Sequence, residues 1–421
     1  MKTYKNLYEK IIDKENLRLA FKRAAKGKTQ RKDIARVLAD LDHHVDKLHE
    51  MLKNEEWKPA RHEKQQINDG FKMKKRYIIK PFYRYEQVVH HAIIQILAPT
   101  DDAIRKDPTL HKVINRGAYK FTCGSVQGRG AHYGKRYIER WIRENHKETK
   151  YIMKIDVRHF FESIPHDILK AKLRRVIADQ KTLRLLDLII DAVDEGLPLG
   201  YYTSQWLANF YLQDLDHYIK QEIWLPEKKK KEEAFKARMK RKGVKNYKMP
   251  KYNCGITKMV RDMDDIVGFA GNKRELQTAM QRICEFCETK LGLKIKDNKQ
   301  VFLFAKEVTV QICDTATNTT KEVVKEYGRA LDFMGFIFRR SRTIIRKALF
   351  YRITRKARRL YKKEKVNWYD ACSMISSMGY IKCTDAYAAY EEYIKPYINI
   401  KSLKNKVSKH SKKEGVKIAA A

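Results

Sequence analysis

Asp264 and Asp265 stand side by side in the otherwise apolar run Thr257-Lys-Met-Val-Arg-Asp-Met-Asp-Asp-Ile-Val-Gly-Phe-Ala270. Val260, Ile266, Val267 and Phe269 flank them, and β-branched or aromatic residues on both sides of a charged pair read as a hairpin that lifts charge to its tip. Charge held there needs water or a divalent cation. Hard carboxylate oxygens suit Mg²⁺ held by few protein groups together with substrate phosphates. An acidic β-turn without chemistry is the alternative for this stretch alone. A third carboxylate shifts the balance, because Asp156 closes the apolar strand Tyr151-Ile-Met-Lys-Ile-Asp156. A solitary Asp at a strand end is a turn or helix-start residue. Three carboxylates on two strand ends instead suit two-metal phosphoryl transfer, in which one ion activates a hydroxyl and the other neutralises the leaving group, about 3.5–4 Å away.

Several elements must hold these residues. Residues 1 to 55 read as helical, with Ile34, Val37, Leu38, Leu41, Val45, Leu48 and Leu52 forming one apolar stripe. From His62 to Pro81 the pattern turns to strands, with Asn68-Asp-Gly70 as the hairpin turn and Lys72, Lys74, Lys75 and Arg76 on the returning strand. A helix runs from Tyr85 to Leu97. Its His90 and His91 diverge by about 100° and make a poor chelate. The loop Cys123-Gly-Ser-Val-Gln-Gly-Arg-Gly-Ala-His132 has three glycines and Arg129 just before a helix from Ala131 to Asn145, a pattern that lets backbone approach phosphates. After helices from 167 to 195 comes Gly196-Leu-Pro-Leu-Gly-Tyr-Tyr-Thr-Ser-Gln205, where Thr203 or Ser204 is placed to cap the helix running to His217. Residues 220 to 251, with charge runs Lys228 to Lys231 and Arg238 to Lys242, read as an inserted mobile arm. A helix from Arg274 to Leu291 follows the acidic hairpin, then strands near Leu293 to Ile295 and Val301 to Phe304. Next come a Thr-rich hairpin over 305 to 325 and the run Leu331 to Phe338. The last eighty residues read as helical, with a Lys-rich, disordered tail after Lys401.

The chain has 421 residues, enough for two to three domain-sized units. Its 91 Lys+Arg against 51 Asp+Glu give +40, which favours a polyanionic partner: nucleic acid, an anionic membrane or an acidic protein. No apolar run reaches the roughly 18 residues of a membrane span, so a soluble cytoplasmic protein without membrane contact is expected. The seven cysteines are scattered and odd in number, which argues against a disulfide framework. Cys284 and Cys287 share a helix face, but the second half of a tetrahedral zinc site is missing.

Four segments together resemble the ordered palm and primer-grip motifs of bacterial reverse transcriptases: Lys154-Ile-Asp156 through Phe161-Glu-Ser-Ile-Pro-His166, Gly196 to Gln205, Met263-Asp-Asp265, and Leu331-Asp-Phe-Met-Gly-Phe336. Lys74-x-Arg76-x-Ile78-x-x-Pro81 resembles the fingers motif that meets the incoming triphosphate, and Lys299 the lysine after the catalytic hairpin. The resemblance implies an α+β right-hand polymerase with fingers, an antiparallel palm sheet and a helical thumb. It divides the chain into an N-terminal helical extension 1–60, fingers 61–150, palm 151–338 with the insertion 220–251, thumb 339–400 and basic tail 401–421. It implies Asp156, Asp264 and Asp265 as catalytic residues and, with Val157, as the site of two Mg²⁺ ions, Mn²⁺ being a substitute. Nucleotide contacts fall on Lys74, Arg76, Phe161, Leu199, Gly200, Gln205 and Lys299; Phe161 is the aromatic gate against ribonucleotides, and Gly200 leaves room beside the nascent base pair. Phe333, Met334 and Gly335 form the primer grip, while Arg129, Arg355, Lys356, Arg358 and Arg359 bind nucleic acid backbone.

Within that family the third motif usually has Gln before its glycine and Ser-Pro after it. This chain has Leu199-Gly200 and Ser204-Gln205, similar to the enzymes of diversity-generating retroelements. Those copy a template-repeat RNA with errors at adenine, using a DNA or RNA primer and deoxynucleotides beside a basic accessory variability protein. The chain ends soon after the thumb, without room for the DNA-binding and endonuclease parts of a group II intron protein. A retron or defence-associated reverse transcriptase and a nonpolymerising RNA-binding descendant are the alternatives. One position departs from the family's Tyr-Met-Asp-Asp hairpin: Asp262 replaces the tyrosine, and strand alternation turns it toward the side of Asp264.

Overall fold

The computed structural model describes residues 3–69, 74–115, 119–244, 246–249, 255–314 and 319–420. Four helices open the chain, Tyr8–Ile12, Lys14–Ala25, Lys32–Ala39 and Leu41–Lys53. The stripe from Ile34 to Leu52 is their packing face, and all seven of its residues are buried in one cluster with Val88, Val89 and Ile93. The hairpin of β1 (Gln65–Asp69) and β2 (Lys74–Ile78) pairs Asn68 with Lys75 and Asp69 with Lys74. Asn68 and Asp69 are therefore strand residues. The expected turn residue Gly70 lies outside the described residues, as do Lys72 and the side chain of Lys74. The next helix is regular only from Val88 to Leu97, because Tyr85 takes φ 75 in the preceding turn. Buried Glu86 pins that entry: its carboxylate accepts from the N–H groups of Ala60 and Phe82, at 2.8 and 2.7 Å, and pairs with His62 at 2.7 Å.

β3 (Tyr151–Asp156), β4 (Lys258–Asp262), β5 (Asp265–Ala270) and β6 (Gln300–Leu303) form one antiparallel sheet in the order β4-β5-β3-β6. Strand alternation sends Met153, Ile155, Met259, Ile266 and Ala270 into the large helical core. Ile152, Val260, Val267 and Phe269 enter a second core with Trp141, Phe333 and Phe336. Both faces are covered, which is why these strands read as continuous apolar runs rather than alternating ones. β4 and β5 meet in a two-residue turn at Met263 and Asp264, with Met263 at φ 55, so Asp262 stands opposite Asp265. Opposed residues of a ladder share a face, so Asp262 lies on the face of Asp265 and Asp156, the side on which Asp264 bonds Asp156.

The Thr-rich segment is a hairpin of Lys306–Asp314 and Thr319–Tyr327. Leu331–Phe333 and Phe336–Phe338 form a second hairpin, whose turn residues Met334 and Gly335 are both left-handed, at φ 51 and 85. Two charge-rich segments, expected as part of a mobile arm and as a disordered tail, are helical. Leu225–Arg241 is a helix with Pro226 in its first turn, braced by Lys228–Glu232 at 3.6 Å and Lys231–Glu275 at 2.9 Å. Ile400–Ala420 is a helix whose buried Glu414 accepts from the Gly27 N–H at 2.8 Å and the Thr29 hydroxyl at 3.1 Å. It packs on Trp368–Lys382, with His410 stacked on Trp368, in a third core that Lys347–Tyr361 also enters.

Candidate active site

Sheet register builds the site. Asp156 and Asp265 are direct partners across β3 and β5, and Asp264 occupies the adjoining turn. Burial pushes the Asp264 carboxyl up to about 6, and its hydrogen bond and charge contact with Asp156 push the same way. Burial also raises Asp265 to about 6, with Asp156 and Asp264 adding to the rise and Lys154 opposing it. Lys154 Nζ lies 3.5 Å from Asp265 Oδ2 and donates to the Asp332 carbonyl at 2.9 Å. Lys296 pairs with Asp156 Oδ2, held there because its N–H bonds the Asp156 carbonyl at 2.9 Å while Ile295 bridges Val157. Among the described residues no group of three or more His, Cys, Asp or Glu is already spaced to hold a metal ion. Asp265 Oδ1 is nevertheless buried without a donor, next to two further carboxylates, and that arrangement fits a divalent cation.

Arg261 locks the hairpin from the opposite face of β4. Its Nε and Nη2 meet the two Asp216 oxygens at 2.8 and 2.6 Å, and Nη1 donates to the Met263 carbonyl at 2.9 Å and to Asn209 Oδ1 at 3.1 Å. Sequence reading missed Arg261, Lys296 and Lys154 in these roles. The available signal for Arg261 was a guanidinium inside an apolar strand, which must have a buried partner.

The loop from Gly196 to Gln205 is threaded between neighbouring backbones. Leu197 N–H donates to the Phe161 carbonyl at 2.6 Å and Ile79 N–H to the Leu199 carbonyl at 2.7 Å. A Cβ on Gly200, at φ 115, would lie 1.9 Å from the Ile79 carbonyl oxygen. The space expected beside a base pair is therefore taken by the chain itself. Leu199 lines a cavity of about 300 Å³ with Tyr77 and Glu162. Phe161 is half-buried, edge-on to Phe160 at 5.4 Å. Gln205 accepts from the Ser125 hydroxyl at 3.2 Å. Thr203 bonds His90 at 2.9 Å and Ser204 donates to the Pro198 carbonyl at 2.8 Å, so neither caps the helix Tyr202–Tyr211 as expected.

Other expected contacts are redistributed. Arg129 Nη1 donates to the carbonyls of Tyr119 and Thr122 at 2.6 and 3.2 Å, which ties the guanidinium to the glycine loop. Lys299 is exposed, and Lys296 is the lysine of this segment that reaches the carboxylates. Arg76 is exposed on β2, opposite Ile67. Phe333 is buried beneath the Lys154 ammonium of β3, and Met334, in the turn with Gly335, lies against Gly134. Arg355, Arg358 and Arg359 are exposed, whereas Lys356 turns inward to the hydroxyls of Ser373 and Ser377 at 2.7 and 2.9 Å and leaves the basic surface.

Remote likenesses exist among solved structures. Telomerase from Candida albicans with a TWJ fragment of telomeric RNA matches at 11% identity and TM-score 0.40, over 90% of this chain and 62% of that one. Apo telomerase from Candida tropicalis, truncated from its C-terminal domain, matches at 13% and 0.36, over 69% and 56%. Likenesses this remote carry no weight for function. The "Uncharacterized 91 kDa protein in cob intron" of Schizosaccharomyces pombe is 27% identical over 271 residues, 56% of this chain. The match spans 32% of that protein, about a third of its length. The family profile described as "Reverse transcriptase (RNA-dependent DNA polymerase)" matches residues 99–338, more than half of the chain, and takes in Asp156, the acidic hairpin and the turn at Met334. The chain belongs to the reverse transcriptase family, with the right-hand polymerase fold whose palm is the β3 to β6 sheet.

Proposed function

We propose that the chain is an RNA-directed DNA polymerase that extends a DNA or RNA primer with deoxynucleotides on an RNA template. The observation that carries this reading is the convergence of Asp156, Asp264 and Asp265 at one end of the palm sheet, inside the segment that matches the family. Those carboxylates, with Val157, are the residues to hold divalent cations, Mg²⁺ or Mn²⁺ in its place. When bound, the ions lower the pKa of the primer hydroxyl and neutralise the leaving pyrophosphate. The chain's own groups do the rest. Arg261 and Asp216 fix the turn, Lys154 and Lys296 brace the carboxylates, Phe161 closes the site to a 2′-hydroxyl, and exposed Arg355, Arg358 and Arg359 meet backbone phosphates.

We further propose the diversity-generating subtype, supported by Leu199-Gly200 and Ser204-Gln205, with a basic accessory variability protein as partner. The relative encoded in a cob intron supports a second reading, an intron-associated reverse transcriptase. One experiment addresses both levels: primer extension on a defined RNA, with the cDNA sequenced. Asp264→Asn should abolish synthesis while template binding persists, and extension at the parent rate would refute the assignment. Errors concentrated opposite template adenine support the diversity-generating reading. Errors spread over all four bases leave the intron-associated one.

A further inference from the structure

Beside the catalytic hairpin lies a cavity of about 780 Å³, walled by the helix Val88–Leu97, the glycine loop and the helix Tyr202–Tyr211, with Asp262 in its lining. Asp262 differs from the other carboxylates of the site. Lys296 holds Asp156, Lys154 faces Asp265 and Asp264 bonds Asp156, whereas the Asp262 carboxylate has no direct ion pair or hydrogen bond among the described residues and feels only the charge of Arg261, which is paired with Asp216. The glycine loop makes room for it: a Cβ on Gly124 would lie 2.7 Å from Asp262 Oδ1 and 2.8 Å from Met263 N. Arg129, on the same wall, gives its Nη1 to two backbone carbonyls. Arg23 and Lys26 line the cavity as exposed cations.

An ionised carboxylate only accepts hydrogen bonds, and it repels phosphate. A strand entering here must turn its phosphates toward Arg23 and Lys26 and present a donor to Asp262. Along its length a nucleic acid strand has two kinds, base N–H groups and the ribose 2′-hydroxyl, the terminal 3′-hydroxyl of the primer belonging to the site of Asp156, Asp264 and Asp265. Base donors change with every nucleotide, and a polymerase advancing along its template meets all four bases at one place. The 2′-hydroxyl is the donor that every RNA nucleotide offers and DNA lacks. Resting on the polymerase reading, we propose that Asp262 is a specificity-determining residue that accepts a hydrogen bond from a 2′-hydroxyl of the RNA strand and so makes this cavity select RNA over DNA.

The test uses the full chain and one primer annealed to RNA or DNA templates of the same sequence, read by fluorescence anisotropy and single-turnover extension. Asp262→Ala should lower the RNA-over-DNA binding ratio about tenfold, the scale of one hydrogen bond to a charged group. Asp262→Asn keeps an acceptor oxygen and should restore part of the ratio. A single 2′-deoxynucleotide moved along the RNA template should weaken binding at one position in the parent and at none in Asp262→Ala. Parental RNA preference in Asp262→Ala overturns the proposal, as does a change confined to the Mg²⁺ concentration needed for extension. A parent that extends no template overturns the polymerase reading instead, and the binding ratio still decides the role of Asp262.

Discussion

Asp264 and Asp265 are held at about 6, above the ordinary carboxylate range, because burial and neighbouring carboxylates disfavour their charge. A folded-state value above the unfolded one means that folding favours the protonated form. The stabilising contribution is full below about 4, the unfolded value, and is lost as pH rises through about 6. Metal-free Asp264→Asn should therefore gain thermal stability relative to the parent at pH 7.5 and lose that advantage near pH 4. Mg²⁺ binds the ionised form, so it should raise the parent's melting temperature at pH 7.5 and much less at pH 5. Differential scanning fluorimetry reads both. An equal Mg²⁺ shift at the two pH values would place the cation elsewhere.

The β4–β5 hairpin keeps its shape through a contact on the face away from the site. Arg261 and Asp216 are both buried, and their bidentate pair extends to the carbonyl of Met263, the turn residue at φ 55. Removing one partner of a buried pair strands the other charge, at a cost of about 3–5 kcal/mol. Asp216→Ala should therefore destabilise the fold on that scale in urea denaturation. Replacing both with apolar residues, Arg261→Met with Asp216→Leu, should recover most of the loss because no charge is left unpaired. A single-variant cost under about 1 kcal/mol would show that the pair does not hold the hairpin.

The whole molecule carries +40, and its exposed arginines on Lys347–Tyr361 lie on a C-terminal helical bundle that reaches the N-terminal helices. Tyr369 donates to the Gly27 carbonyl at 3.2 Å, beside the Glu414 contacts to Gly27 and Thr29. Binding through phosphates releases counterions, so log affinity should fall linearly with log salt, each lost contact lowering the slope by about 0.7–0.9. Changing Arg355, Arg358 and Arg359 to Ala should reduce the slope by about 2. Lys356→Ala should leave the slope alone and lower thermal stability, since its ammonium joins two thumb helices. A slope unchanged by the triple substitution would move the binding surface off this helix.

What the amino-acid sequence determined alone is what lies within a few residues: the apolar stripe of the N-terminal helices, the Thr-rich hairpin, and carboxylates at two strand ends. Period and turn chemistry are local, so they survive without knowledge of the fold. The pairing of Lys296 with Asp156 was decided by tertiary structure, since it joins residues 140 apart in sequence. The same holds for Ile79 filling the space at Gly200, for the inward turn of Lys356 and for the pairing of Arg261 with Asp216. Leu225–Arg241 and Ile400–Ala420 looked disordered because composition counts charge without its partners, and Glu275, Gly27 and Thr29 are partners that only the folded chain brings near. Asp262 shows the boundary within one hairpin: its carboxylate is visible in the sequence, but the face it takes depends on a two-residue turn and a glycine brought against it from residue 124.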